Sequence, residues 1–191
     1  MARPLRPLVA GGVYHVMARG NDRAPIFLDA RDHLAFLELV KLTVARFHWR
    51  CFSYCLMGNH YHLLVQTPHP NLSRGAQYLN GAYARLHNTR HDRVGHLFGG
   101  RYKSPLIQQD AHLLTVFQYI ALNPVRAGLC ADPREWQWSA HAALIGDVPA
   151  PGFLDAVGAH SWFGTPLDRR WYADFVAGPS LFEYDPDRPV F

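Results

Sequence analysis

The order of elements in the sequence, β-α-β-β-α-β-α, predicts an α+β fold: a ferredoxin-like (RRM-like) antiparallel sheet with helices packed on one face. Three observations carry this expectation. Two strand-like runs meet at the short connection Met57-Gly58-Asn59, which makes a hairpin. One helical stripe precedes that hairpin and another follows it. A further strand-like run then completes a split β-α-β pattern.

The elements follow in order. Residues 1–11 read as an irregular lead-in holding Pro4 and Pro7. Gly12 to Arg19 (GVYHVMAR) is rich in β-formers and reads as the first strand. Gly20-Asn21-Asp22-Arg23 is turn chemistry. Asp29 or Asp32 caps a helix reaching about Phe47, with Leu34, Leu37, Val40, Leu42 and Val44 as its apolar stripe. Trp49 to Leu56 is the second strand; His60 to Thr67 is the third, ended by Pro68 and Pro70. Asn71 or Ser73 caps a second helix to about Thr89, whose apolar positions include Leu72, Ala76, Leu79, Ala82, Tyr83 and Leu86. A Gly- and His-rich loop over 90–100 leads to a fourth strand, Arg101 to Gln108, which Pro105 assigns to an edge. A third helix covers His112 to Ala121; Pro124 interrupts it and Gly128 closes the segment. Residues 1–146 then form one domain, and 147–191, rich in Pro, Gly, Asp and aromatics, form a C-terminal extension packed on it.

Composition narrows the function classes. Of 191 residues, 49% are hydrophobic and 18% charged, so a core forms and global disorder is excluded. A formal net charge of +4 is compatible with a polyanionic partner. The cysteines Cys51, Cys55 and Cys130 are too few and too scattered for a disulfide framework. Cys51 and Cys55 read as small buried hydrophobes. No run approaches the roughly 20 apolar residues of a membrane span, and the N-terminus lacks a signal-like apolar stretch. The expected location is cytoplasmic. Twelve histidines permit metal chemistry.

Chemistry centres on Gly58-Asn59-His60-Tyr61-His62. Alternate strand residues share a face, so His60 and His62 project together with Cα atoms about 6.5–7 Å apart. Two neutral imidazoles at that spacing can converge on one divalent ion. A second group lies at Tyr119 and Asn123, one helical turn apart on one face. The tyrosine offers a phenolic nucleophile and the asparagine amide oxygen a third, hard ligand. A tyrosine oxygen can open a phosphodiester, giving a phosphotyrosine and a free 3′-hydroxyl. Spacing alone leaves plainer readings open: chance histidines on a solvated strand, a packing tyrosine, and an asparagine that merely precedes a helix-stopping proline.

Across about residues 10–146 the chain resembles the HUH single-tyrosine transposases, particularly the REP-associated tyrosine transposases (RAYT) of bacteria. The resemblance is carried by Tyr14-His15-Val16 with Arg19-Gly20-Asn21, and by the block from Met57 to His62. It continues in Gly100-Arg101-Tyr102-Lys103-Ser104, the run from Tyr119 to Leu129, and Trp136-Gln137-Trp138-Ser139. It implies metal ligands at His60 and His62 and a nucleophile at Tyr119. Asn123 would be the third ligand, where related transposases often have glutamine. The implied activity is Mg²⁺- or Mn²⁺-dependent cleavage and joining of single-stranded or hairpin DNA, with a 5′-phosphotyrosine intermediate, on palindromic repeats. A homodimer that exchanges the tyrosine helix and a monomer are both compatible with it.

Expected DNA contacts are Arg19, Asn21 and Arg23 after the first strand, Arg101 and Lys103 on one face of the fourth, and Arg126 beyond the tyrosine helix. Tyr102 would stack on an unpaired base, whereas Trp136 and Trp138 read as core. Three competing readings remain at this level. One is a DNA-binding regulator without catalysis. Another is a zinc hydrolase with His15 or His112 as third ligand. The last places the nucleophile at Tyr78 or Tyr83.

Overall fold

The computed structural model describes residues 8–163, 169–180 and 184–185. Residues 1–7 of the expected lead-in, and 164–168, 181–183 and 186–191 of the expected extension, lie outside the described residues.

Four strands form one antiparallel sheet: β1 (Gly12–Arg19), β2 (Arg50–Leu56), β3 (His60–Thr67) and β4 (Leu106–Ile107), in the order β2-β3-β1-β4. β1 and β3 pair along their whole lengths, from Gly12 opposite Thr67 to Arg19 opposite His60. This is the arrangement expected of a split β-α-β unit. Six helices accompany it among the described residues: α1 (Ala30–Phe47), α2 (Leu72–Arg90), α3 (Asp110–Arg126), α4 (His141–Ile145), α5 (Ala156–Ser161) and α6 (Arg169–Ala177).

Local chemistry sets the helix ends. The Asp29 carboxylate accepts from the Asp32 N–H at 3.1 Å, which caps α1. His48, at φ +56°, returns its N–H to Val44 O and stops it. α1 and α2 cover one face of the sheet, as expected. Phe36, Tyr61 and Tyr83 meet there, with Phe36 and Tyr61 ring centroids 4.7 Å apart and Phe36 and Tyr83 5.0 Å apart. All three are fully buried, and each large apolar side chain so removed from water contributes about 2 kcal/mol. Gly75 allows α2 to lie flat on Trp49: a Cβ there would come 2.1 Å from the indole.

α3 departs from the expectation that the helices share one face. His62 alternates with Tyr61 along β3 and meets Tyr119 of α3, so α3 lies on the opposite face. The physical reason is sequential: α3 follows the closed split unit, whose first face is already covered. α6 packs with α3 and α4, and α5 with α4 and β2. Phe153, Phe163, Tyr172 and Val176 thereby join the same hydrophobic core.

Two boundaries also differ. The fourth strand is only Leu106–Ile107, because Pro105 has no N–H to continue the ladder. Lys103 still bridges Met17, so Arg101 and Lys103 sit on a bent approach rather than on one face of a strand. α3 runs through Pro124 to Arg126 instead of breaking there. Proline removes one hydrogen bond, to Ile120, but stands in the last turn, where little helix remains to lose. Gly128, at φ +69°, closes the end as expected, with Leu129 N–H donating to Pro124 O.

Candidate active site

On the α3 face of the sheet the β1–β3 register gathers His15, Met17 and Arg19 of β1 with His60, His62 and Leu64 of β3. α3 lays Tyr119 across this strip. The His60 and His62 rings stand 4.9 Å apart, centroid to centroid, at 88°. Tyr119 is 5.5 Å from His62 at 87°. Asn123, one turn further on, is buried, and its side chain lies close enough to His60 to favour the charged ring. The expected histidine pair, tyrosine and asparagine are therefore neighbours within one chain.

Hydrogen bonds select the ring atoms. His60 Nδ1 lies 2.6 Å from Asn59 Oδ1, an acceptor, so Nδ1 carries the proton. Asn59 is held in turn by its Nδ2, which donates to Arg23 O at 2.9 Å. His62 Nδ1 lies 2.9 Å from His15 Nε2, and His15 Nδ1 lies 2.7 Å from Tyr184 Oη. With His62 protonated on Nδ1, His15 accepts at Nε2 and donates from Nδ1 to Tyr184. That assignment leaves His62 Nε2 with a lone pair, and this buried atom has no hydrogen-bond partner. A buried bare imidazole nitrogen beside a second imidazole and an amide fits a divalent cation. His60, His62 and Asn123 are the residues that would hold it.

Protonation favours the same use. Burial, with neighbouring His112, lowers the His15 pKa to about 3. Burial and the Arg19 guanidinium, opposed by Asn123, lower that of His60 to about 4. His62 is pushed well below its usual value by burial, with His15, His60 and Arg19 adding to it. All three rings are neutral at pH 7 and offer lone pairs rather than charge.

A cleft of about 480 Å³ opens over these groups. His60, His62 and Tyr119 line it together with Arg19, Asn21, Arg23, Arg101 and Lys103. The exposed Arg126 guanidinium lies 5.5 Å from the centre of the Tyr119 ring. Arg19, Asn21, Arg23, Arg101, Lys103 and Arg126 thus sit at or beside the cleft. The turn Asn21–Arg23 reaches it because Asp22 and Arg23 adopt positive φ, 52° and 59°. Tyr102 does not face the cleft as a stacking platform: it is buried, and its hydroxyl donates to Ser73 Oγ at 3.1 Å.

The other candidates are displaced. Tyr83 is buried on the opposite face with its hydroxyl on Ile26 O, and Tyr78 lies under Arg46. His15 stands behind His62 as its hydrogen-bond partner, and His112 lies beyond Tyr184. Neither completes a ligand set with His60 and His62: among the described residues, the one trio of His, Cys, Asp or Glu donors mutually within 4.8 Å lies elsewhere. Cys51 and Cys55 are buried, as expected, and burial drives both thiols up, Cys51 to about 12. Trp136 and Trp138 pack against the core, Trp138 stacked on His33 with ring centroids 4.3 Å apart.

Four residues take roles that the sequence did not assign. Asn59 and His15 orient the histidine pair, Tyr184 packs with its ring centroid 5.1 Å from that of Tyr119, and Asp185 lines the cleft. Alternation along β1 and its register with β3 could have indicated His15. Nothing local indicates Tyr184.

Residues 9–123, from just before β1 through Asn123, match the protein family described as transposase IS200 like. A Haemophilus influenzae protein provisionally named a REP-associated tyrosine transposase is 25% identical over 152 residues, covering 73% of this chain and 85% of its own. Among solved structures, a REP-associated tyrosine transposase bound to a REP hairpin aligns with a TM-score of 0.62 at 15% identity, over 73% of this chain and 82% of the other. At that identity the likeness speaks for the fold. No described helix is long and apolar enough to cross a membrane.

Proposed function

The chain belongs to the IS200-like transposases, and from that membership and its cleft we propose a metal-dependent endonuclease and strand transferase acting on single-stranded or hairpin DNA through Tyr119. The observation that carries this reading is the meeting of Tyr119, His60 and His62 at one basic cleft, with the His62 Nε2 lone pair unpartnered.

The Tyr119 phenolic oxygen attacks the scissile phosphorus and its proton leaves. The bond from phosphorus to the 3′-oxygen breaks, and that oxygen departs as a 3′-hydroxyl after taking up a proton. The product is a 5′-phosphotyrosine, whose reversal by another 3′-hydroxyl rejoins strands. Mg²⁺ or Mn²⁺ held by His60, His62 and Asn123 would polarise the phosphate and absorb charge in the transition state. Arg126, beside the tyrosine ring, favours negative charge there. Arg19, Asn21, Arg23, Arg101 and Lys103 hold the phosphates that flank the break. Hairpins formed by palindromic repeats are the substrate suggested by the named relatives.

Tyr119 stands 5.5 Å from His62 of its own chain, so attack within a monomer needs no exchange of helices. Residues 1–146 would carry the chemistry, and 147–191 would be an extension supporting α3. A bacterial nucleoid location follows from the DNA substrate. The test is cleavage of a 3′-labelled hairpin oligonucleotide with Mn²⁺, because the fragment joined to Tyr119 then carries the label. Wild type should cut and Tyr119→Phe should not. Equal cutting by both would end the proposal, and loss of the adduct with retained hydrolysis would favour a water-based nuclease.

A further inference from the structure

We propose that Asp32, His87 and His91 form a second metal site, structural and suited to Zn²⁺, which ties the start of α1 to the end of α2. One ligand atom from each residue lies within 4.8 Å of the other two. His87 and His91 are one turn apart on the same face of α2, with ring centroids 4.5 Å apart. The site lies on the α1–α2 face of the sheet, away from His60 and His62.

His87 supplies the independent observation. Its side chain is fully buried, and neither ring nitrogen has a hydrogen-bond partner. Other buried histidines of the chain are served: His15, His141 and His160 each have a polar contact. A buried imidazole with no partner is costly unless its lone pair goes somewhere. His91 Nε2 faces contradictory neighbours. It lies 3.0 Å from each Asp32 oxygen and 3.2 Å from Arg90 Nη1. A proton on Nε2 suits the carboxylate and opposes the guanidinium; a bare lone pair does the reverse. A cation between His91 and Asp32 would satisfy both acceptors.

The donors suit a dication. Arg90 and Arg93 offset the charges of Asp29 and Asp32 near His87, so the ligand set, not net charge, favours the ion. Arg90 keeps Asp29 as a partner if Asp32 turns to the metal. Two imidazoles and one carboxylate form a donor set that zinc accepts, with a fourth position left for water. The consequence is positional. α2 leads from His91 into the loop that delivers Gly99, Gly100 and Arg101 to the catalytic cleft. A metal at the end of α2 would fix where that loop begins.

The test uses the full chain carrying His60→Ala and His62→Ala, so that the catalytic pair contributes nothing. Titration with buffered Zn²⁺ should give one equivalent bound, with a rise in Tm. Adding His87→Gln or His91→Gln should weaken binding at least about tenfold and abolish that rise. X-ray absorption of the zinc-loaded protein should report two imidazole nitrogens, which keeps the test decisive if the His87 variants fail to fold. No stoichiometric binding, binding indifferent to both substitutions, or a spectrum lacking two imidazoles would each overturn the proposal.

Discussion

His15 Nε2 lies 2.9 Å from His62 Nδ1, and this contact decides which His62 nitrogen is left for the cleft. Without it the ring could turn or take its other tautomer. His15→Ala should lower Mn²⁺ affinity by about 10–100-fold. His15→Gln, whose amide oxygen can still accept, should recover part of the loss. Calorimetric titration measures both, and an unchanged affinity in the alanine variant would remove His15 from the site.

Asn123 lies beside His60 and would be the third ligand. Asn123→Ala should weaken Mn²⁺ binding and cleavage together, while Asn123→Asp should tighten the metal through its added charge. If alanine lowers cleavage with unaltered metal affinity, the amide serves the substrate instead.

Arg19 and Arg101 border the cleft from two different segments. If each neutralises a phosphate, replacing either with alanine should weaken hairpin binding and reduce the slope of log K against log salt by about 1. Fluorescence anisotropy between low and moderate salt measures this. A slope equal to wild type would place that arginine outside the DNA path.

Buried neutral histidines make the apo-protein acid-sensitive. Burial lowers His15 to about 3 and His60 and His141 to about 4. The unfolded chain takes these protons near pH 6.5, the folded chain only near pH 3–4. The stability from these groups is therefore full above pH 6.5 and is lost as pH falls toward 4. For the fully buried His15 the loss by pH 5 is about 2 kcal/mol. Urea unfolding at pH 7.5 and pH 5 measures it; equal stabilities would contradict the buried neutral state.

Much of this was legible where local pattern and tertiary demand coincide. The strands Gly12–Arg19 and His60–Thr67 stand as read, because both are apolar runs bounded by turn residues. Alternation alone put His60 and His62 on one face. The reading failed where one residue had to be weighed against its position. Pro105 cut the fourth strand short, and Pro124 was harmless because its helix was already ending. Tyr102 looked like a stacking platform but fills the core. The link from His62 through His15 to Tyr184 joins residues far apart in sequence, and no periodicity records such a contact.

The central claim is that the Tyr119 oxygen, served by the His60–His62 pair, becomes covalently joined to DNA. The most direct measurement is mass spectrometry of peptides from protein trapped on a palindromic hairpin oligonucleotide with Mn²⁺. A nucleotide should be found on the peptide bearing Tyr119, and not when His60 and His62 are both alanine. An adduct on any other tyrosine, or efficient cleavage with no adduct at all, would contradict it.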